Sequence, residues 1–435
     1  MTAAVEHKST ATLWRNADFM RLWIGQTISE LGSKVSSLAL PLIAITTVQA
    51  SDLEVSTIAG TMSLPAIAIS LYLGVLVDRV RRRPLLIIAH AGRAVTLLTV
   101  PLAIWQGWLT LAHLYAVAFF MGVFNLLFQV ANSSYLPTLI DRDQLADGNG
   151  KLAATGAAAS AGGNTVGGAL IAAIGTAWGI VADVATYVVA GLLLGLIRKP
   201  EERPRRSHTP RSHVHRDIVE GFRLVTGHPV LRALTCAAVV ANLSYAMVTS
   251  VFTLFMYKTL GLTAAAMGIV FAVGNAGMLL GSVLPKRTTR RIGIGPTAVL
   301  ATALAAVGES GLALSDGRWA LGVLAVCHGL YWVSVPLFNV PLATLYQGAC
   351  PQHLQGRLNA TVRFVALGIF PIGAVLAGVL SEAYSSRLAL VTAGVIAWGA
   401  PLLLALSSAR RVRTADDLTL VASPEIDQED RKVTP

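Results

Sequence analysis

The sequence predicts an all-α membrane protein of twelve transmembrane helices, arranged as two pseudo-symmetric six-helix bundles. Three observations predict it: the composition, the spacing of the apolar runs, and the positions of the basic residues. Of 435 residues, 54% are apolar and 13% charged, and the mean hydropathy of +0.63 lies beyond the range of soluble domains. A helix needs about 20 mostly apolar residues to cross a hydrocarbon core of about 30 Å, so the chain has room for about a dozen crossings and little else.

Apolar runs bounded by charged or turn-forming residues fall near 19–48, 54–77, 85–105, 109–135, 152–174 and 177–197. A hydrophilic stretch follows, "RKPEERPRRSHTPRSHVHRDIVEGFRLVTGHP" (Arg198 to Pro229), too polar to enter lipid. Six more runs lie near 231–256, 264–284, 296–314, 318–346, 360–382 and 387–407. The expected organisation is a tail over 1–18, a bundle over 19–197, a linker over 198–230, a second bundle over 231–407 and a tail over 408–435. The first twenty residues carry no apolar core with a cleavage site, so the first run is expected to act as its own insertion signal.

Lys and Arg are retained on the cytoplasmic side of a membrane. With the N-terminus inside, the even-numbered connections hold Arg79, Arg81, Arg82, Arg83, Arg142, Lys151, the linker, Lys286, Arg287, Arg290, Arg291 and Arg357, whereas the outer ones hold only Lys258, Arg318 and Arg387. Both termini are therefore expected in the cytoplasm, with the chain in the inner membrane. The net charge of +11 reads as a topology signal and an attraction to anionic membrane lipids, not as nucleic-acid binding. Cys236, Cys327 and Cys350 are scattered, which suits neither a disulfide framework nor a metal centre. With no Gly-x-x-x-x-Gly-Lys-Ser/Thr loop, an ion gradient is the expected energy source, and no cofactor is expected.

Between the second and third runs stands "GVLVDRVRRRP", in which Asp78 is an acid that cation retention does not require. A carboxylate there could accept from amides at a neighbouring helix start and pair with arginines, forming a latch that breaks when the two halves rock apart. The stretch resembles the signature loop of the major facilitator superfamily, with Gly74, Leu76, Asp78, Arg79, Arg82 and Arg83 matching and Arg81 standing where the general motif has Gly. The second half has "GSVLPKRTTRR" at the equivalent place, with Pro285 in the position of the acid. The segments "FMRLWIGQTISELGSKVSSLALPL", "LPTLIDRDQLADGNGK" and "LQGRLNATVRFVALGIFPIGAVLAG" are similar to the efflux branch that includes macrolide and siderophore exporters. Drug exporters of the superfamily carry Gly-Pro-x-x-Gly-Gly in the fifth helix; here Gly163, Gly167 and Gly168 match and Asn164 replaces Pro. Asn keeps its backbone donor, so this helix is expected to be straighter. Close packing alone would also account for the glycines.

In this superfamily the first, fourth, seventh and tenth helices line the central cavity. Their polar residues recur at helical spacing: Gln26, Glu30, Ser33 and Ser37; Asn125, Gln129 and Asn132; Asn242, Tyr245, Thr249 and Thr253; His328, Trp332 and Asn339. Such faces are costly against lipid and are satisfied around a shared wet cavity, or by dry contacts between helices. Glu30 precedes Lys34 by four residues, the order that favours an intrahelical ion pair. Glu30, His328 and Asp183 are the candidates for carrying a proton, with Asp183 and Glu309 expected near the outer ends of their helices, where an interfacial role is the alternative. Arg93 and Arg363 are expected close to the cytoplasmic face. Tyr245, Tyr331 and Trp332 point to a bulky amphipathic ligand, or to packing.

The expected function is secondary transport by a monomer, with a hydrophobic or amphipathic small molecule exported in exchange for protons. An importer on the same scaffold and a non-transporting membrane sensor are the alternatives.

Overall fold

The computed structural model describes residues 13–69, 73, 77, 80–141, 144–201, 222–223, 225–349, 362, 368–414 and 417, and no strand occurs among them. Asn16 starts α1 (Ala17–Thr46), its side-chain oxygen accepting from the Asp18 and Phe19 amides at 3.1 Å. Ser51 and Glu54 cap the start of α2 (Asp52–Ala68) reciprocally. Next come α3 (Arg82–Gln106), closed by Gly107 at φ +75°, and α4 (Leu111–Leu139). Gly175, at φ +83°, breaks the helix Leu145–Gly195 into α5 (145–174) and α6 (176–195), between the two runs read from the sequence. Helical geometry runs without interruption through Asn164.

The second half supplies α7 (Pro229–Leu254, continued by the π turn Phe255–Thr259), α8 (Ala264–Ser282) and a short basic helix, Pro285–Ile292. After these follow α9 (Ile294–Leu312), α10 (Ala320–Ala349), α11 (Phe370–Ala383) and α12 (Ser386–Ala397, extended by Gly399–Leu406). Among the described residues, eight stretches are long and apolar enough to cross a membrane. One of them spans the break at Gly175, and α2, α9 and α11 complete the twelve-helix plan.

Buried apolar residues form three clusters. One draws on both halves of the chain, joining Val35, Leu42, Val100 and Ile180 to Val251, Phe255, Val270 and Leu390. The other two lie at the end carrying both chain ends and do not mix. Leu13, Leu22, Leu86, Leu136 and Leu194 belong to the first bundle, and Val230, Leu234, Ile294, Leu345 and Leu404 to the second. The bundles thus share a dry core at the far end and keep separate cores at the terminal end.

They meet along α2–α11 and α5–α8, two contacts that a two-fold rotation would exchange. Glycines bring these backbones together. A Cβ on Gly60 would lie 3.2 Å from Ala374 Cβ, and one on Gly168 would lie 2.4 Å from the Ala264 carbonyl oxygen.

At the far end Asp52 clasps the bundles. Its carboxylate pairs with Lys258 at 2.8 Å and accepts from Ser381 at 2.6 Å, while Glu382 accepts from the Asp52 and Leu53 amides at 2.9 and 3.3 Å. Partly exposed pairs of this kind contribute up to about 1 kcal/mol each. Asp52→Ala is therefore expected to enlarge the population open at this end roughly two- to fivefold. Pulsed EPR distances between spin labels at Thr47 and Tyr384 check this, and an unaltered distribution would remove the clasp from gating.

At the terminal end, residues 198–201 stitch the first bundle together. Asp18 accepts from the Arg198 and Lys199 amides at 3.0 and 2.9 Å, and Lys199 Nζ donates to the Leu139 carbonyl at 2.9 Å. Glu201 accepts from the amides of Arg82 (2.6 Å) and Arg83 (3.0 Å), capping α3 from outside. Arg83 in turn donates to the carbonyls of Leu194, at 2.8 Å, and Gly195, so the last carbonyls of α6 are satisfied. The rest of the proposed latch, Gly74, Asp78 and Arg79, lies outside the described residues.

A candidate transport site in the first bundle

A cavity of about 350 Å³ opens within the first bundle. Gln26, Glu30 and Ser33 from α1 face Asn125, Gln129 and Asn132 from α4 across it, with Arg93 of α3 and Thr155 and Gly156 of α5 completing the wall. The helical spacing of the two polar faces explains why all six sequence-derived residues arrive together. Gln26 Nε2 donates to Asn132 Oδ1 at 2.5 Å and Trp23 Nε1 to Thr155 Oγ1 at 2.9 Å, ties that hold α1 against α4 and α5. Ser37 is exposed and donates to the Lys34 carbonyl, outside the lining.

Glu30 is turned into the chamber, where its carboxylate lies against Gly156 of α5. The expected Glu30–Lys34 ion pair does not form among the described residues. The Lys34 stem lies instead on Gly163 of α5, whose Cβ would come within 3.0 Å of it, so a neighbouring helix overrides the local pairing rule.

Arg93 is not at the membrane face. It lies eleven residues into α3 from Arg82 and is 5% exposed. Its guanidinium lies 4.4 Å from the centre of the Phe128 ring and 5.4 Å from that of Tyr187. No carboxylate forms an ion pair with it among the described residues, and its Nε has no partner. Arg93 shares the chamber lining with Glu30, and Tyr187, over which it lies, stands one helical turn from Asp183 on α6. A depth of about 16 Å from the helix start is the signal in the sequence that could have placed Arg93 in the interior.

Asp183 is likewise internal, with no exposed surface. Its Oδ1 accepts from Thr186 Oγ1 at 3.1 Å, whereas Oδ2 has no partner. Gly32 of α1 makes this possible, since a Cβ there would lie 2.4 Å from Asp183 Oδ1. Ser33 and the Tyr187 hydroxyl share a hydrogen bond of 2.8 Å, which links the chamber wall to the Asp183 helix. Polar groups thus reach from the chamber wall to the helix that carries a buried carboxyl.

The second bundle contributes none of its sequence-derived residues to this lining. His328 is held in an aromatic nest, accepting from Trp332 Nε1 at 3.0 Å, stacked on Phe252 at 5.1 Å and edge-on to Phe271 at 5.5 Å. Tyr245 and Tyr331 stack on each other at 5.4 Å, with the Trp332 ring edge-on to both. Asn242 and Thr249 bond back to their own helix, at Ala238 and Tyr245, and Asn339 is exposed. The aromatic rings pack against neighbouring helices, whereas the polar groups are satisfied within their own.

Two six-helix bundles that share a core at one end and keep separate cores at the other, with a polar chamber inside the first, have the architecture of a multi-pass membrane transporter of the secondary type. Residues 22–374 match the Major Facilitator Superfamily, and the chain belongs to that family. Among its relatives, the uncharacterised MFS-type transporter YfiS of Bacillus subtilis (strain 168) is 24% identical over 398 residues, covering 88% of this chain and 92% of YfiS. The enterobactin exporter EntS of Escherichia coli O127:H6 is 26% identical over 347 residues, covering 78% of this chain and 80% of EntS. Among solved structures, the nucleoside transporter NupG superposes with a TM-score of 0.73 at 12% identity, covering 89% of this chain and 98% of NupG. A bacterial homologue of the lysosomal transporter Spinster, inward-facing and unoccupied, superposes with a TM-score of 0.70 at 14% identity over 91% of this chain and 96% of its own. At these identities the likeness to solved structures is one of fold.

Proposed function

We propose that the chain exports an amphipathic small molecule in exchange for protons, as a monomer in the inner membrane with both termini cytoplasmic. The observation that carries this reading is one buried guanidinium, Arg93, which lines the chamber together with Glu30 and lies over the ring of Tyr187, one helical turn from the buried Asp183. Protonating either acid frees the cation to favour the other, so proton occupancy and chamber charge are linked. By the distribution of basic residues the terminal end is cytoplasmic, and the conformation described is then the inward-open one, ready to load from the cytoplasm. The amides and hydroxyls of the wall suit a ligand with several hydrogen-bonding groups, and the kinship with an enterobactin exporter favours the outward direction.

One proton moved through 100 mV supplies about 2.3 kcal/mol, enough for a roughly fiftyfold gradient of substrate. Accumulation of fluorescent dyes and of siderophores in a strain lacking its own exporters, with and without the gene, tests the reading. Export lowers accumulation, and a protonophore erases the difference. Raised accumulation would indicate import, and no change a non-transporting role.

A further inference from the structure

Glu309 of α9 is a buried acid that the chamber does not use. Only 2% of it is exposed, and it faces Ser244 of α7. Ser244 Oγ lies within hydrogen-bond distance of two oxygens, Glu309 Oε2 and the Ala393 carbonyl of α12, the latter at 2.7 Å. A serine hydroxyl has one hydrogen to give. The Ala393 carbonyl can only accept, so Ser244 donates there, and the hydrogen in the other contact belongs to Glu309.

The surroundings agree with this count. Among the described residues no ion pair reaches Glu309. The titratable groups facing it are the partly buried phenols of Tyr245 on α7 and Tyr331 on α10, which stack on each other. Cys327 of α10, one helical turn from Tyr331, packs on Gly308 and Gly311 beside Glu309. On α12, Arg387 lies about two turns from Ala393 and is engaged with Asp316 at 3.6 Å and the Ser315 carbonyl at 3.1 Å. A lone carboxylate without a cation is costly in a membrane interior, and a carboxylic acid is not.

We propose that Glu309 is a proton-binding site of the second bundle, occupied in this conformation. The proton runs from the Glu309 carboxyl to Ser244 Oγ, and the Ser244 proton to Ala393. When the Glu309 proton leaves, Ser244 must swing its hydrogen to the new carboxylate, and the α7–α12 bond to Ala393 is lost. Proton occupancy therefore fastens α7 to α12. The site is defined without substrate and does not rest on the export reading, so either can fail alone.

Infrared spectra of the full chain in lipid bilayers, with and without ¹³C-labelled glutamate and with no substrate added, test it. The expected result is a carboxylic-acid carbonyl band that moves with the label, persists across the physiological pH range, and disappears in Glu309→Gln. Ser244→Ala removes the acceptor and should shift that band to higher frequency; this variant decides the matter if Glu309→Gln does not fold. A wild-type spectrum with no glutamic-acid band, a band unchanged in Glu309→Gln, or a band unshifted in Ser244→Ala would overturn the assignment.

Discussion

Leucine in place of Gly268 is expected to abolish transport. A Cβ at this position would stand 2.6 Å from the Asn164 carbonyl oxygen and 3.3 Å from Gly168 Cα, and these are backbone atoms that cannot rotate aside. The only relief is to push α8 away from α5, which separates the bundles along one of their two lasting contacts. Overpacking a tight core costs about 1–3 kcal/mol, and a rigid helix crossing lies at the upper end of that range. Gly162→Ala on α5 is the control, because its Cβ would meet nothing within 4 Å. Uptake into vesicles and thermal unfolding in detergent give the comparison. Gly268→Leu with wild-type rates would mean that the bundles do not bear on each other there.

Arg93→Gln is expected to reduce transport at least a hundredfold and to lower thermal stability sharply. Gln loses the cation–π contacts with Phe128 and Tyr187, worth about 2 kcal/mol when desolvated, and takes a positive charge out of the chamber wall beside Glu30. Without Arg93, Asp183 stays buried with one oxygen unpartnered. The double variant Arg93→Gln, Asp183→Asn removes both charges and should recover most of the stability without recovering transport. If Arg93→Gln alone is as stable as the wild type, the two residues are not coupled. Glu30→Gln, on the chamber side, should leave the fold intact and flatten the pH dependence of exchange. A pH profile like that of the wild type would move the proton site elsewhere.

The first half of the chamber was legible because helical spacing alone sets Gln26, Glu30 and Ser33 on one face and Asn125, Gln129 and Asn132 on another. The break between α5 and α6 was legible for a similar reason, as Gly175 falls where one apolar run ends and the next begins. Periodicity identifies a face but not what that face meets. His328 and Trp332 share a face at offsets zero and four, yet Phe252 and Phe271, from helices distant in sequence, close over the histidine. Lys34 illustrates the same limit, since Gly163 lies more than a hundred residues away. Arg93 was misplaced because the cation-retention rule assigns arginines to helix ends, and only its depth in α3 argued otherwise.

The stitching of residues 198–201 across the first bundle has a consequence for how this protein can be divided. Leu139, α3 and Asp18 are all fastened before the chain leaves Glu201, so the first half closes its terminal end without help from the second. A break made after Glu201 leaves each of these bonds within one polypeptide. Two separately produced polypeptides, meeting in the same bilayer, should find each other through their glycine-lined crossings and work as one machine.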